Sequence, residues 1–418
     1  MDIKKIYILY SKHYLVDTDT RDIRKHSLFF ALKGENFNGN EFAHQAIAHG
    51  ADFAIIDEVA YQVSDKTILV DNVLDTLQKL AAYHRLKLKT PIIALTGSNG
   101  KTTTKELIHC VLSKKYKTTA TQGNLNNHIG VPLTLLGMTP QTEIGVVEMG
   151  ANHQTEIEFL CAIAAPDFGY ISNFGKAHLA GFGGIEGVIK GKSELYAFLN
   201  GNNKIAFVNP NDAIQVEKTK HIKTILFPEN LKFVAADPFV KIASETIQIK
   251  SNLIGAYNGT NILAAITIGL YFKVEEEKIK NAIEAYIPDN NRSQIIKKER
   301  NHIVLDAYNA NPSSMKVALE SFSKIKKSSK TVILGDMFEL GKESDKEHQA
   351  IVDLADECSF SKTLYVGENF YKTRTKNNKF KNFEDLKNYI LQHSIENQTV
   401  LIKGSRGMKL ERILHLIN

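Results

Sequence analysis

Short apolar runs alternating with amphipathic stretches set the rhythm of this chain from residue 28 onward. LFFAL (28–32) and FAIID (53–57) read as strands, since a compact apolar run bounded by polar or turn residues fits a strand in a covered sheet. EFAHQAIAHGA (41–51), closing on Gly50, and LDTLQKLAAYHRL (74–86) carry helical spacing. KLKTP (87–91) loses the periodicity and contains a proline, so a boundary is expected there. A second unit starts at the strand IIALT (92–96) and continues through helical TTTKELIHCVLSKKY (102–116), strands IGVVEM (144–149) and FGYISNF (168–174), and the apolar helix NILAAITIGLYF (261–272). After the polar, turn-forming YIPDNNRSQ (286–294), strands resume at HIVLDAY (302–308), TVILGDM (331–337), TLYVG (363–367) and TVLIKG (399–404). Apolar strands alternating with amphipathic helices predict parallel βαβ units. The expected fold class is therefore α/β in three domains: a small mixed domain (1–86), a central domain with a mainly parallel sheet (87–291) and a C-terminal Rossmann-like domain (292–418).

Composition narrows the function classes. A length of 418 residues exceeds what one core organises and fits two or three domains. The 52 basic and 46 acidic side chains leave +6 spread along the chain, too dilute for a nucleic-acid-binding stripe. Cys110, Cys161 and Cys358 are far apart and never in a CxxC spacing, which argues against a disulfide framework or a structural zinc and for a reducing compartment. MDIKKIYILYSKHY lacks the apolar segment of a signal peptide, and no run reaches the roughly 20 apolar residues of a membrane span. A soluble, cytoplasmic protein without membrane insertion is expected.

Strand, glycine turn and helix meet at ALTGSNGKTTTKE (94–106). Gly97 and Gly100 let the backbone aim its N–H groups at an anion, the helix adds its positive end, Lys101 supplies a point charge and the Thr102 hydroxyl can ligate magnesium. Thr96, Gly97, Ser98, Asn99, Gly100, Lys101, Thr102 and Thr103 thus form an expected ATP cradle, in the shorter GxxGKT form because Leu95 stands where the general P-loop has glycine. The plainer reading is a glycine turn followed by a surface lysine.

TGSNGKTT after a central strand resembles the Mur ligase superfamily, ATP-dependent amide-forming enzymes that pass through an acyl phosphate and that include the folylpolyglutamate synthases. Other segments carry the same resemblance in the same order: GNLNNHIGVPLTLL (123–136), VVEMGANHQTEIEFL (146–160), ISNFGKAHLAGFGGIEGVIKGKSELY (171–196), GAYNGTNILAA (255–265) and LDAYNANPSSM (305–315). YNANPSSM, ILGDMFELG (333–341) and KGSRGMKLE (403–411) are most similar to the branch that adds D-alanyl-D-alanine to UDP-N-acetylmuramoyl-tripeptide. The third-residue-adding branch typically has D-Y-A-H where this chain has Asp306, Ala307, Tyr308 and Asn309. Residues 18–51 resemble the segment that binds the UDP end of the precursor, implying Thr20, Arg21, Asn38 and Gly39 as contacts, with Thr20 in place of the usual serine and Asn40 in place of a common histidine.

Chemistry and resemblance together assign further roles. Phosphorylating a carboxylate brings two anions together, so Lys101 and Arg292 are candidates to neutralise phosphate oxygens; Arg292 could equally be a surface arginine. Thr102 and the strand-end Glu148 would hold one Mg2+, although such a carboxylate could also be a simple cap. The AHL match implies His178 as ligand of a second Mg2+, and the lysine closing that block, Lys192, is implied to carry a carbamate that turns its cation into an anion beside the metal. Asn258 and Asn261, three apart, would present amide edges to adenine, or serve as helix cap and buried amide. Asp306 would accept hydrogen bonds from ribose hydroxyls. Asn124, Asn126 and Asn127 are candidates to touch the muramoyl peptide, or to make turns. Tyr308, Asn309, Asn311, Ser405 and Arg406 lie on loops where the dipeptide would enter. The expectation is a monomeric, ADP-forming ligase whose third domain rotates about the 286–292 linker to exclude water from the acyl phosphate. The rivals are a sister ligase of the superfamily and a non-catalytic P-loop regulator.

Overall fold

The structure, a computed structural model, describes residues 2–326 and 329–417. Its first sheet is parallel and small. It comprises β1 (Val16–Asp17), β2 (Leu28–Phe30), β5 (Phe53–Ile56) and β6 (Thr67–Leu69) in the order β1-β2-β5-β6, and a separate hairpin of β3 (Lys33–Gly34) and β4 (Phe37–Asn38) follows β2. Alternation along β2 sends Phe29 to one face, where it packs with Ala43 and Ala46 of α2 (Ala43–Ala48). Leu28 and Phe30 go to the other face, against Leu77 and Leu80 of α3 (Val73–Lys87). The N-terminal α1 (Ile3–Tyr10) packs on α3 as well.

The central sheet is six-stranded and wholly parallel, built from β7 (Ile92–Thr96), β8 (Thr118–Ala120), β9 (Ile144–Glu148), β10 (Phe168–Ile171), β11 (Ile205–Val208) and β12 (Lys223–Leu226) in the order β12-β11-β10-β7-β9-β8. Both faces are covered, so β7 and β9 are buried along their whole length. Ile93 and Leu95 meet α4 (Lys101–Leu112) and the helix Asn258–Tyr271, whereas Ile92 and Ala94 belong to the apolar cluster that holds α5 (Gly130–Leu136) and α6 (Glu156–Ala164). An antiparallel side sheet, β13 (Lys232–Ala236), β14 (Phe239–Ala243) and β15 (Gln248–Ile254), is an addition that the run of parallel units does not foreshadow.

The third sheet, β16 (Gln294–Lys298), β17 (Asn301–Asp306), β18 (Lys330–Gly335), β19 (Lys362–Val366), β20 (Asn378–Phe380) and β21 (Thr399–Lys403), runs β16-β17-β21-β18-β19-β20 and is parallel except for β16. Several expected strands end early for a chemical reason. The run 168–174 leaves the sheet after Ile171 because Ser172 and Asn173 turn to hold the glycine loop, Ser172 Oγ and Asn173 Nδ2 both donating to Asn99 O. The run 302–308 stops at Asp306, whose carboxylate is engaged as described below. Among the described residues no helix is long and apolar enough to cross a membrane.

Candidate active site

Parallel sheets place chemistry at the C-terminal ends of their strands, where loops diverge. Here the glycine turn follows β7, Glu148 closes the neighbouring β9, and Ser172 and Asn173 follow β10 on the other side. These ends open into a cavity of about 500 Å3 shared with the third domain. Its walls include Ser98 to Thr103, Asn124, Asn126, Asn127, Glu148, His178, Asn258 and Asn261, together with Arg292, Asp306, Tyr308, Asn309 and Asn311.

The glycine turn needs its glycines. Gly97 (φ 141°) and Gly100 (φ 77°) adopt backbone that side chains rarely allow, and a Cβ on Gly100 would lie 2.8 Å from Asn261 Oδ1. Asn99 N donates to Asn173 Oδ1 at 3.1 Å and Ser98 Oγ donates to Gly175 O at 2.7 Å, so the loop is clamped from β10. Lys101 Nζ curls back to Gly97 O at 2.7 Å. Burial brings its pKa down to about 8, with Arg292 adding to the effect and Glu148 opposing it.

Beneath the loop, Thr102 Oγ1 donates to Glu148 Oε1 at 3.3 Å and Asn126 Nδ2 donates to the same oxygen at 2.7 Å. Glu148 Oε2 is buried and has no hydrogen-bond partner among the described residues. An uncompensated buried carboxylate oxygen beside a threonine hydroxyl is a hard-oxygen donor set that fits a divalent cation. Lys192, 1% exposed, donates to Ala151 O at 3.1 Å and lies 5.1 Å from the Phe182 ring centroid. Burial, helped by the nearby Lys101 charge and opposed by Glu156 and Glu194, holds its pKa well below the ordinary lysine value. His178 pairs with Glu339 of the third domain.

Across the cavity, Arg292 stacks on Tyr308 with its guanidinium carbon 3.7 Å from the ring centroid, and its buried Nε has no hydrogen-bond partner among the described residues. Asp306 Oδ2 accepts from Lys403 Nζ at 2.6 Å and Oδ1 accepts from Ser293 N at 3.1 Å. Lys403, 2% exposed, was not singled out from the sequence. The signal was there: a lone lysine closing the apolar strand TVLIK, in register with Asp306 on the adjacent β17. Tyr257, which also lines the cavity, shares a 2.6 Å hydrogen bond with Ser293.

Some expected geometry is different. Asn258 and Asn261 turn their amides toward each other, Asn261 Nδ2 donating to Asn258 Oδ1 at 2.8 Å while Asn258 Nδ2 donates to Ile254 O at 2.8 Å. That leaves Asn261 Oδ1 against the glycine turn in place of two outward edges. Asn127 Oδ1 accepts from Ile129 N and Gly130 N, which is turn chemistry at the start of α5, and Asn124 is exposed on the same loop. Ser405 is buried away from the cavity walls, its Oγ accepting from Phe338 N, because that bond ties two third-domain loops together. Arg406 is a neighbour of the site through Tyr308, 5.5 Å from the ring centroid. Asn309 Oδ1 accepts from Ala310 N. Asn311 caps the helix Pro312–Ser323 and donates from Nδ2 to Asn99 Oδ1 at 2.8 Å, joining the third domain to the glycine turn.

Thr20, Arg21, Asn38 and Gly39 lie in the first domain and outside this cavity. Arg21 is exposed and paired with Asp19, Thr20 is half-buried, and Asn38 bonds to Glu58 and Asn40. Gly39 is fixed by close approach, since a Cβ there would lie 2.3 Å from Leu32 O. Asn40 is fully buried, donating to Asp57 Oδ1 and accepting from Asp57 N, so it serves as a bracket inside the domain.

Comparison with known proteins matches the three sheets to three family profiles: Mur ligase family, catalytic domain (12–85); Mur ligase middle domain (95–269); and Mur ligase, glutamate ligase domain (291–406). The chain is 33% identical to the UDP-N-acetylmuramoyl-tripeptide–D-alanyl-D-alanine ligase of Bacillus subtilis, over 96% of this chain and 92% of that one. It is similar to the crystal structure of MurF from Acinetobacter baumannii, with a TM-score of 0.82, 30% identity, and coverage of 96% and 92%. It is also similar to the MurF ligase of Thermotoga maritima in complex with ADP, with a TM-score of 0.83, 26% identity, and 96% of each chain covered.

Proposed function

The chain belongs to the Mur ligase family, and from that premise we propose that it joins D-alanyl-D-alanine to UDP-N-acetylmuramoyl-tripeptide, converting ATP to ADP through an acyl phosphate, in the synthesis of peptidoglycan precursors. The observation that carries this reading is the shared cavity, in which a phosphate-binding turn, a buried carboxylate and third-domain loops face one space. A P-loop regulator needs the first of these; only a ligase needs all three.

The residues divide the work by charge and position. The turn from Thr96 to Thr103 holds the triphosphate through backbone N–H groups, while Lys101 swings from Gly97 O to the phosphates as the transferring group gains charge. Arg292, braced on Tyr308 with an Nε that no described residue engages, offsets the charge of the carboxylate that attacks. Thr102 and Glu148 would hold one Mg2+ and His178 a second, and these ions would supply positive charge to offset the phosphate oxygens. For His178 to take that part, its contact with Glu339 has to open. Lys192, whose burial favours the neutral amine, would attack CO2 with its lone pair and lose a proton to become a carbamate anion; it lies behind the cavity wall, its Nζ donating to the lining residue Ala151. Asp306, fixed by Lys403 and Ser293, receives the ribose, and Tyr308, Asn309 and Asn311 border the entry of the dipeptide. Thr20, Arg21, Asn38 and Gly39 hold the uridine end on the first domain.

Phosphate release from ATP, with Mg2+ and the UDP-tripeptide, tests the assignment against D-alanyl-D-alanine and single amino acids. Release that requires the dipeptide, with a product heavier by the dipeptide less water, is expected. Release with a single amino acid would move the chain to a sister branch. For the carbamate, Lys192→Ala is expected to lose activity and to regain part of it with short-chain carboxylic acids; full activity without them would dismiss that role.

A further inference from the structure

The strand order β1-β2-β5 brings a second, unrelated group of side chains together at the opposite end of the first sheet from its diverging loops. Val16 pairs with Leu28 and Leu28 with Phe53, so residues just before each strand start side by side. His13 lies three residues before β1, His26 two before β2 and Asp52 one before β5. The backbone locks the three loops in step: Leu28 N donates to Leu15 O, Asp52 N to Ser27 O and His26 N to Gly50 O, each at 2.8 to 2.9 Å. His13 and His26 stack with ring centroids 4.8 Å apart at 21°, and both rings turn toward Asp52. His26 Nδ1 is 3.0 Å from Asp52 Oδ1 and His13 Nε2 is 4.0 Å from Asp52 Oδ2.

We propose that His13, His26 and Asp52 form a binding site for a borderline divalent transition metal, of the Zn2+ or Co2+ class, that pins three loops of the first domain. One donor atom from each of the three residues lies within 4.8 Å of the others, the spacing that a single ion at ordinary bond lengths of about 2.0–2.2 Å closes with small side-chain rotations. Two imidazoles and one carboxylate select such an ion over Mg2+, which takes oxygen donors and keeps its water. The donors are half-exposed, so the remaining coordination positions belong to solvent and the ion enters without opening the fold. The three ligands come from three separate loops, so the bound ion cross-links segments spanning residues 13 to 52 and stabilises the folded first domain by mass action. Nothing in this assignment depends on the ligase reaction, and the trio shares no residue with the cavity.

The test uses the full chain, stripped with a chelator and titrated with ZnCl2 in excess Mg2+, beside the double variant His13→Gln/His26→Gln and the single variant Asp52→Asn. Calorimetry is expected to count one Zn2+ fewer per chain in the double variant, whatever other histidines bind, and Asp52→Asn to weaken that same site. Co2+ should give a visible d–d band with the native chain that the double variant loses, and Zn2+ should raise the melting temperature of the native chain more than that of the variants. Circular dichroism checks that the surface substitutions keep the fold. Equal stoichiometry in native and doubly substituted chains, or a Co2+ spectrum indifferent to the substitutions, overturns the site.

Discussion

The central domain meets its two neighbours through joints of opposite character. Toward the first domain, α3 buries Leu77, Leu80 and Ala81 completely and packs on α5 and α6. Buried polar groups finish that joint: Tyr10 Oη donates to Leu136 O, His84 Nε2 bonds to Met138 O, and Arg85 reaches Ala164 O, Ala165 O, Leu88 O, Thr90 O and the Asp167 carboxylate. Toward the third domain, polar pairs reach across one at a time, Lys176 with Glu347, His178 with Glu339 and the half-buried Asn311 with Asn99, beside a small apolar patch of Ile254 with Val304, Ala318 and Phe322. A joint whose groups are desolvated on parting is costly to open, whereas one whose groups recover water is cheap. This contrast predicts a hinge at the third domain, opening the site for substrates, with the first two domains moving as one platform.

The largest expected effect breaks the platform. Arg85→Ala strips a buried guanidinium from four carbonyls and from Asp167, leaving acceptors unpaired, and should cost about 3–5 kcal/mol of stability. Thermal or urea unfolding of the variant measures it; a loss below about 1 kcal/mol, the range of exposed pairs, would mean that this joint is not the rigid one. Next is the linker. Glu106, on the helix that follows the glycine turn, accepts from Tyr286 Oη and from Asn290 Nδ2 and so ties the phosphate cradle to the segment carrying Arg292. Glu106→Ala removes both bonds and should cost about 1–3 kcal/mol, read as slower turnover at saturating ATP, with Glu106→Gln restoring part of it. Equal kcat in all three proteins would show that the linker needs no such tie.

A third effect is set by pH. Burial lowers the pKa of His84 from its ordinary 6.5, outweighing the Met138 carbonyl that raises it. Since the folded pKa lies below the unfolded one, the unfolded chain takes up this proton first on acidification. The platform loses stability as pH falls through about 6.5, by at most about 1.4 kcal/mol per pH unit for one proton, and is insensitive to this group above about 7.5. His84→Gln keeps a donor for Met138 O and removes the titration. Melting temperatures of the two proteins should diverge in their pH dependence below 6.5, and parallel curves would assign the acid sensitivity elsewhere.

The two joints also differ in how much of them the sequence announces. The apolar spacing of 74–86 indicates a helix with a buried face, and GSNGKT indicates an anion-binding turn, since both signals are local. Pairings set by sheet order are not local. Lys403 meets Asp306 across 97 residues and Glu106 meets Tyr286 across 180, each fixed only once strands and helices are placed side by side. The side sheet β13–β15 escaped for another reason: KFVAA and FVKIA alternate weakly and lie in a stretch rich in lysine and turn residues. Residues such as Asn127 and Ser405 carried ambiguous chemistry, because an asparagine or serine on a loop caps backbone as readily as it binds a ligand.

A last pair of variants, which includes the smallest expected effect, sharpens the contrast from the other side. Lys176 Nζ donates to Glu347 Oε1 at 2.5 Å, with the lysine side chain 48% exposed and the glutamate 8%. The asymmetry dictates which half of the pair matters. Glu347→Gln releases an ammonium that water takes back, so the expected loss is about 0.5–1 kcal/mol, the worth of a surface pair. Lys176→Met strands a buried carboxylate and should cost more, about 1–3 kcal/mol. Both changes favour the separated third domain, so small-angle scattering should show a larger radius of gyration in the order native, Glu347→Gln, Lys176→Met. Added salt should narrow the difference between the native chain and Glu347→Gln, because the contact it screens is the one that is half in solvent. Identical scattering from all three chains would place the closing force outside this pair and return the comparison to Asn311 and Asn99.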